Sequence, residues 1–159
     1  MRPSDASACV RPPMSSAYVF DTEAIIAFLY EEPGHDHVGT LLEAVAAGET
    51  EGLLSETNAS ELYYLLARFE GTAEEQPTSA SLRAADRDIR ALTRGGVTIE
   101  RADWRLAGEI KADGNISLAD AYAVALSHDR EATLVAGGDD DFDALSVDVD
   151  VERFRDGGV

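Results

Sequence analysis

Short apolar runs alternate along this chain with amphipathic stretches, and that alternation restricts the fold more than any other feature. Ala17–Phe20, Leu53–Ser55, Val97–Ile99, Ala132–Ala136 and Val147–Val151 read as strands. Between them, helical periodicity predicts Glu23–Tyr30, His35–Ala47, Asn58–Phe69, Ser79–Arg94, Asp103–Ala112 and Ser117–His128, with a short turn over Asp141–Leu145. Leu62, Leu65, Leu66 and Phe69 form one such apolar stripe, while Pro33-Gly34 and Gly95-Gly96 mark breaks. Strands separated by helices imply an α/β fold: a three-layer α/β/α sandwich around a short, mainly parallel central sheet. In such sheets ligands bind beyond the carboxyl ends of the strands.

Four acidic residues fall where that edge is expected: Asp21, Glu61, Asp120 and Asp139. Apolar segments flank them, Val19-Phe20 before Asp21 and Leu134-Val135 before Gly137-Gly138-Asp139. Three of them have an ordinary structural explanation. Ser117 with Asp120 and Asn58 with Glu61 match helix capping boxes, and Asp21 matches a plain N-cap. Together they demand more, because two like unit charges 4 Å apart repel by ~4 kcal/mol at an effective dielectric of about 20. Hard divalent cations with oxygen ligands, Mg²⁺ or Mn²⁺, relieve that repulsion. The set therefore predicts a metal site suited to phosphodiester chemistry.

Length and charge bound the rest. With 159 residues the chain reads as one domain over 17–159, preceded by a disordered extension over 1–16 that lacks the apolar centre of a signal peptide. Met14 is an alternative start. Cys9 alone forms no intrachain disulfide, and no apolar run approaches a membrane span, which together predict a cytoplasmic protein. A net charge of −18 by itself argues against a nucleic-acid partner, because phosphate affinity comes largely from Lys and Arg. Adaptation to molar salt accounts for it: there the Debye length is about 3 Å and self-repulsion is screened. The charge then reports a halophilic setting, and only the few acids within apolar flanks report chemistry.

Ordered along the chain, Val19-Phe20-Asp21-Thr22, Ser60-Glu61-Leu62, Leu118-Ala119-Asp120-Ala121 and Gly138-Asp139-Asp140-Asp141-Phe142 resemble the PIN domain family, and within it the VapC-type toxin ribonucleases. The resemblance covers about Ala17 to Phe154. It implies a Mg²⁺- or Mn²⁺-dependent endoribonuclease with Asp21, Glu61, Asp120 and Asp139 as catalytic and metal-binding acids, Asp141 as a further ligand, and Asp140 solvated. It also implies RNA cleavage leaving a 5′-phosphate and a 3′-hydroxyl, a small antitoxin as protein partner, and a homodimer; the shortness of every apolar run predicts no membrane association. One position departs from the pattern. The family often carries Thr or Ser two residues before the last acid, where this chain has Gly137; Thr22 offers a hydroxyl near Asp21 instead.

Two other readings compete. A non-catalytic PIN-like module would use the acidic groove for a protein partner, with Gly137 in its favour. A receiver-type domain would place two acids together after the first strand, where this chain has Asp21 alone. Gly137-Gly138 lacks the following Lys-Ser or Lys-Thr of a phosphate loop. His35, His37 and His128 read as surface or helix-end residues, and Tyr63 and Tyr64 as packing or interface residues. Arg83, Arg87, Arg90 and Arg94 read as a solvated helix face paired with Asp86, with an RNA path as the alternative.

Overall fold

A computed structural model of the protein describes residues 16–137 and 142–155. In chain order the elements are β1 (Ala17–Phe20), α1 (Thr22–Leu29), α2 (His35–Ala46), β2 (Glu51–Ser55), α3 (Glu56–Phe69), α4 (Ser79–Arg94), β3 (Val97–Glu100), α5 (Trp104–Asp113), α6 (Leu118–Arg130), β4 (Thr133–Ala136) and β5 (Val151–Arg153). The five strands form one sheet in the order β3-β2-β1-β4-β5, and every neighbouring pair is parallel. Parallel strands buried on both faces read as continuous apolar runs, which is how Ala17–Phe20 and Thr133–Ala136 look in sequence.

Successive strand residues point to opposite faces, and the core divides accordingly. Val19, Leu53 and Leu134 pack with α5 and α6, through residues such as Ala107, Ile110, Val124 and Leu126. Phe20, Leu54 and Val135 pack on the other face with α1 to α4, through Ile25, Val38, Leu62, Leu66 and Ala85. Fully burying a side chain such as Phe20 or Leu54 contributes roughly 1.5–3 kcal/mol, so the two half-cores clamp the sheet from both sides. The expected three-layer α/β/α architecture is present.

Strand order places the functional edge. The chain leaves β1 toward β2 and β3 on one side and later returns to β4 and β5 on the other. The connections beyond β1 and β4 therefore diverge, which makes the carboxyl ends of these two strands the topological switch point, where the binding crevice of an open α/β sheet is expected.

Several element boundaries differ from those the sequence suggests. The last strand is Val151–Arg153, not Val147–Val151. Val147, Val149 and Val151 do pack on the core, as their alternation implies. Their ladder begins only at Leu134↔Val151, because β4 is four residues long and starts at Thr133, leaving earlier residues without a facing strand. α3 starts at Glu56, two residues before the expected Asn58, because Ser55 is its N-cap and accepts from Asn58 N. The capping box that does form joins Thr78 and Ser81 at the start of α4.

β5 is anchored through Gly34, which ends the α1–α2 turn at φ +90, a left-handed conformation. A β-carbon there would lie 2.3 Å from the Phe154 carbonyl oxygen, so the turn and the end of β5 meet backbone to backbone. Gly48 is also left-handed, at φ +76, yet has open space around it. Gly34→Ala is expected to lower stability by more than the roughly 1–2 kcal/mol of left-handed strain, and Gly48→Ala by that strain alone. Urea denaturation of both variants at fixed high KCl checks this; equal losses would contradict the close contact.

Candidate active site

Asp21 stands at the crevice because the ladder carries it there. Its backbone N donates to the Val135 carbonyl at 3.2 Å, extending the β1–β4 pairing one residue past β1. Its side chain then caps α1, with Oδ1 accepting from Ala24 N at 2.7 Å. The N-cap explanation is correct but incomplete, since the residue is only 3 % exposed. Burial pushes the Asp21 carboxyl well above the ordinary carboxylate range, and the charges of Asp120 and Glu23 push it further. The Ala24 bond and the Arg155 guanidinium act in the opposite sense. Asp120, far from Asp21 in sequence, is thus close enough for its charge to disfavour ionisation of Asp21.

Asp120 lies in the first turn of α6, where Ser117 is the N-cap and its Oγ accepts from Asp120 N at 3.1 Å. That geometry leaves the Asp120 carboxylate half-buried on the side of Asp21. The helix follows another helix, α5, across the short segment 114–117, so Asp120 is not at a strand-to-helix transition as expected. Glu61 also sits differently. It is the sixth residue of α3, in the second turn and half-buried, because α3 begins at Glu56. Asp139 and Asp141, the remaining expected ligands, lie outside the described residues, as does Asp140.

Sequence reading missed the buried polar bridge that fixes α3 against α1. Ser55 Oγ donates to Asn58 Oδ1, and Asn58 Nδ2 donates to Thr22 Oγ1 at 3.0 Å. Asn58 and Ser55 are fully buried, so these bonds form in a low-dielectric setting where a lost partner is costly. Thr22 therefore holds the start of α1 to the start of α3, the helix of Glu61. The signal was a polar residue three positions after a strand-ending Ser, which capping-box logic assigned to the wrong N-cap.

A second missed feature surrounds Gly137. Glu23, on α1, reaches across so that a β-carbon at Gly137 would lie 1.8 Å from Glu23 Oε1. The space where the family often carries a hydroxyl side chain is filled here by this carboxylate. Glu23 Oε1 in turn pairs with Arg155 Nη2 at 2.7 Å, and Arg153 Nη1 donates to the Gly137 carbonyl at 2.8 Å.

Hard oxygen donors, one of them buried and facing a second carboxylate, suit a divalent cation that keeps several waters. Asp21 and Asp120 supply such donors. Among the described residues no three His, Cys, Asp or Glu side chains gather closely enough to hold an ion by themselves.

The other candidates take structural places. His37 Nε2 meets Glu152 Oε2 at 2.6 Å, and His128 Nδ1 meets the Asp148 carbonyl at 3.1 Å. Arg90 pairs with Asp86 at 2.7 Å, as a solvated helix face would. Tyr63 and Tyr64 are exposed, with Arg68 over the Tyr64 ring. Among the described residues no helix is long and apolar enough to cross a membrane.

A parallel α/β sheet with opposed carboxylates at its switch point defines a class of acidic-site domains. Comparison with known proteins narrows it: the pattern of the PIN domain family matches residues 18–147, and the chain belongs to that family. Members of the family are generally nucleases. The fold is similar to that of VapBC2 from Rickettsia felis, solved bound to a DNA fragment from its promoter, at 15% identity and TM-score 0.63, covering 86% of this chain and 98% of that one. It is also similar to DNA-bound VapBC from Salmonella typhimurium (14% identity, TM-score 0.59, 87% and 98% covered). A third similar structure is FitAcB from Neisseria gonorrhoeae (18% identity, TM-score 0.58, 86% and 97% covered). No curated protein matches the chain in sequence.

Burial of Asp21 gives a signed pH prediction. Its folded pKa lies above the unfolded one, so the folded state holds the proton more tightly. Stability without metal is then highest below the ordinary carboxylate pKa and falls as pH rises toward the raised value. Asp21→Asn keeps the capping oxygen and cannot ionise. In EDTA it is expected to melt above wild type at neutral pH and to lose that advantage in acid. A parallel pair of Tm-against-pH curves would contradict the assignment.

Proposed function

We propose that the protein is a divalent-metal-dependent endoribonuclease, the toxin of a toxin–antitoxin pair. The observation that carries the reading is the buried Asp21 carboxylate opposed by Asp120 at the β1–β4 switch point. Membership of a family of nucleases supports hydrolysis, and the likeness to VapBC and FitAcB supports the toxin role.

Asp21 and Asp120 hold Mg²⁺ or Mn²⁺, joined by Asp139 and, as a further ligand, Asp141. The bound ion supplies charge stabilisation at the phosphate oxygens and a more acidic water. Glu61, projecting from the second turn of α3, binds metal or orients the attacking water for in-line displacement. The Ser55–Asn58–Thr22 bridge holds Glu61's helix in register with Asp21. Cleavage leaves a 5′-phosphate and a 3′-hydroxyl. Burial of Asp21 keeps its carboxylate poorly hydrated, so its oxygens are available to a cation.

A small antitoxin is the proposed partner, and a homodimer the proposed state. We place the protein in a salt-rich cytoplasm, on the strength of its −18 charge.

Asp120→Asn tests the reading directly. Purified in molar KCl with Mn²⁺, wild type is expected to cut RNA and EDTA to stop it. The variant is expected to fold with cleavage reduced about 100-fold or more, because charge stabilisation of several kcal/mol is lost and each ~1.4 kcal/mol is tenfold. Wild-type rates from the variant would refute the site. Absence of Mn²⁺ binding by calorimetry would favour a non-catalytic module.

A further inference from the structure

An acidic crevice must receive a polyanion, and a diester phosphate approaching Asp21 and Asp120 meets like charge. Arg155 is a cation whose charge bears on Asp21. It stands just past β5, whose last paired residue, Arg153, lies opposite Ala136. This is the same carboxyl edge that carries Asp21 and Gly137.

The guanidinium is held rather than free. Nη2 pairs with Glu23 Oε1 at 2.7 Å, Nη1 donates to the Pro33 carbonyl at 3.4 Å and lies 3.9 Å from Glu32 Oε1, and its carbon sits 4.9 Å from the Phe154 ring centre. The side chain is still 26 % exposed. Both terminal nitrogens are engaged, yet a guanidinium carries five N–H donors, so this half-buried group keeps donors beyond those contacts for a phosphate oxygen. Gly137 makes this possible: a β-carbon there would lie 1.8 Å from Glu23 Oε1 and displace the carboxylate that pairs with Arg155. The arginines of α4 are placed less well, since α4 leads into β3, the opposite edge strand of the sheet.

We propose that Arg155 binds a backbone phosphate of the RNA substrate at the acidic crevice, and that Glu23, seated against Gly137, is the positioning residue that aims it. This rests on the nuclease reading above and adds the group that admits a polyanion to a chain of charge −18.

The test is steady-state cleavage of one single-stranded RNA oligonucleotide in Mn²⁺ over a KCl series, with Tm measured in parallel. Arg155→Gln is expected to raise KM about tenfold to a hundredfold, as loss of a charged hydrogen bond implies, with kcat changed less than about threefold. The slope of log kcat/KM against log[KCl] is expected to flatten by about 0.7, the share of one phosphate contact on a single strand. Arg155→Lys should recover the slope but only part of KM, since it restores charge without the fork. Glu23→Gln and Gly137→Ala should raise KM while leaving the slope near wild type, because the arginine remains but is misaimed. An Arg155→Gln enzyme that loses Tm and kcat at unchanged KM and slope would show a purely structural tether and overturn the proposal. Wild-type protein inert toward RNA would overturn the nuclease reading itself, and this inference with it.

Discussion

The carboxyl group of Asp21 is kept out of water at the one place in the sheet where two connections diverge, and most of the molecule's functional architecture follows from that. An unpaired buried carboxylate is costly, and a nearby second carboxylate makes it more so. Asp21 has both conditions, from its burial and from Asp120. Burial and the neighbouring charge thus both disfavour the ionised form of Asp21. The capping bond from Ala24 offsets part of the penalty and also fixes the side chain's direction. The capping bond and the proposed metal ligand therefore fall on the same residue.

Everything close to Asp21 contributes to holding that geometry. The Ser55–Asn58–Thr22 bridge ties the two helices that follow β1 and β2, so that the start of α3 is held to the start of α1. On the other side, Gly34 lets the α1–α2 turn touch the backbone at Phe154, which delivers Arg155 to Glu23. The absent side chain at Gly137 belongs to the same arrangement. What looks in sequence like a lost hydroxyl is, in space, room for a carboxylate from α1.

Sequence periodicity was enough to read the architecture, because parallel strands buried on both faces leave unbroken apolar runs. Ala17–Phe20 matches β1 to the residue, and the layers follow from strand–helix alternation. Boundaries failed where hydrogen bonding, not hydrophobicity, decides them. Val147–Val151 alternates like a strand, yet only residues opposite β4 join the ladder. Asn58 looked like a cap, yet Ser55 takes that role and frees Asn58 for a long-range bond. Of the acidic set, Asp21 and Asp120 were legible because apolar flanks and capping residues mark them. Glu23 and Arg155 were not: each looks like one more surface charge until β5 and α1 are folded together.

Anomalous diffraction from crystals of the wild-type protein grown with Mn²⁺ tests the central claim most directly. A manganese peak is expected in the crevice between β1 and β4, with carboxylate oxygens of Asp21 and Asp120 as ligands at about 2.1 Å, the spacing of a small octahedral dication. A crevice without manganese at saturating Mn²⁺, or an ion bound only by surface acids elsewhere, would contradict it.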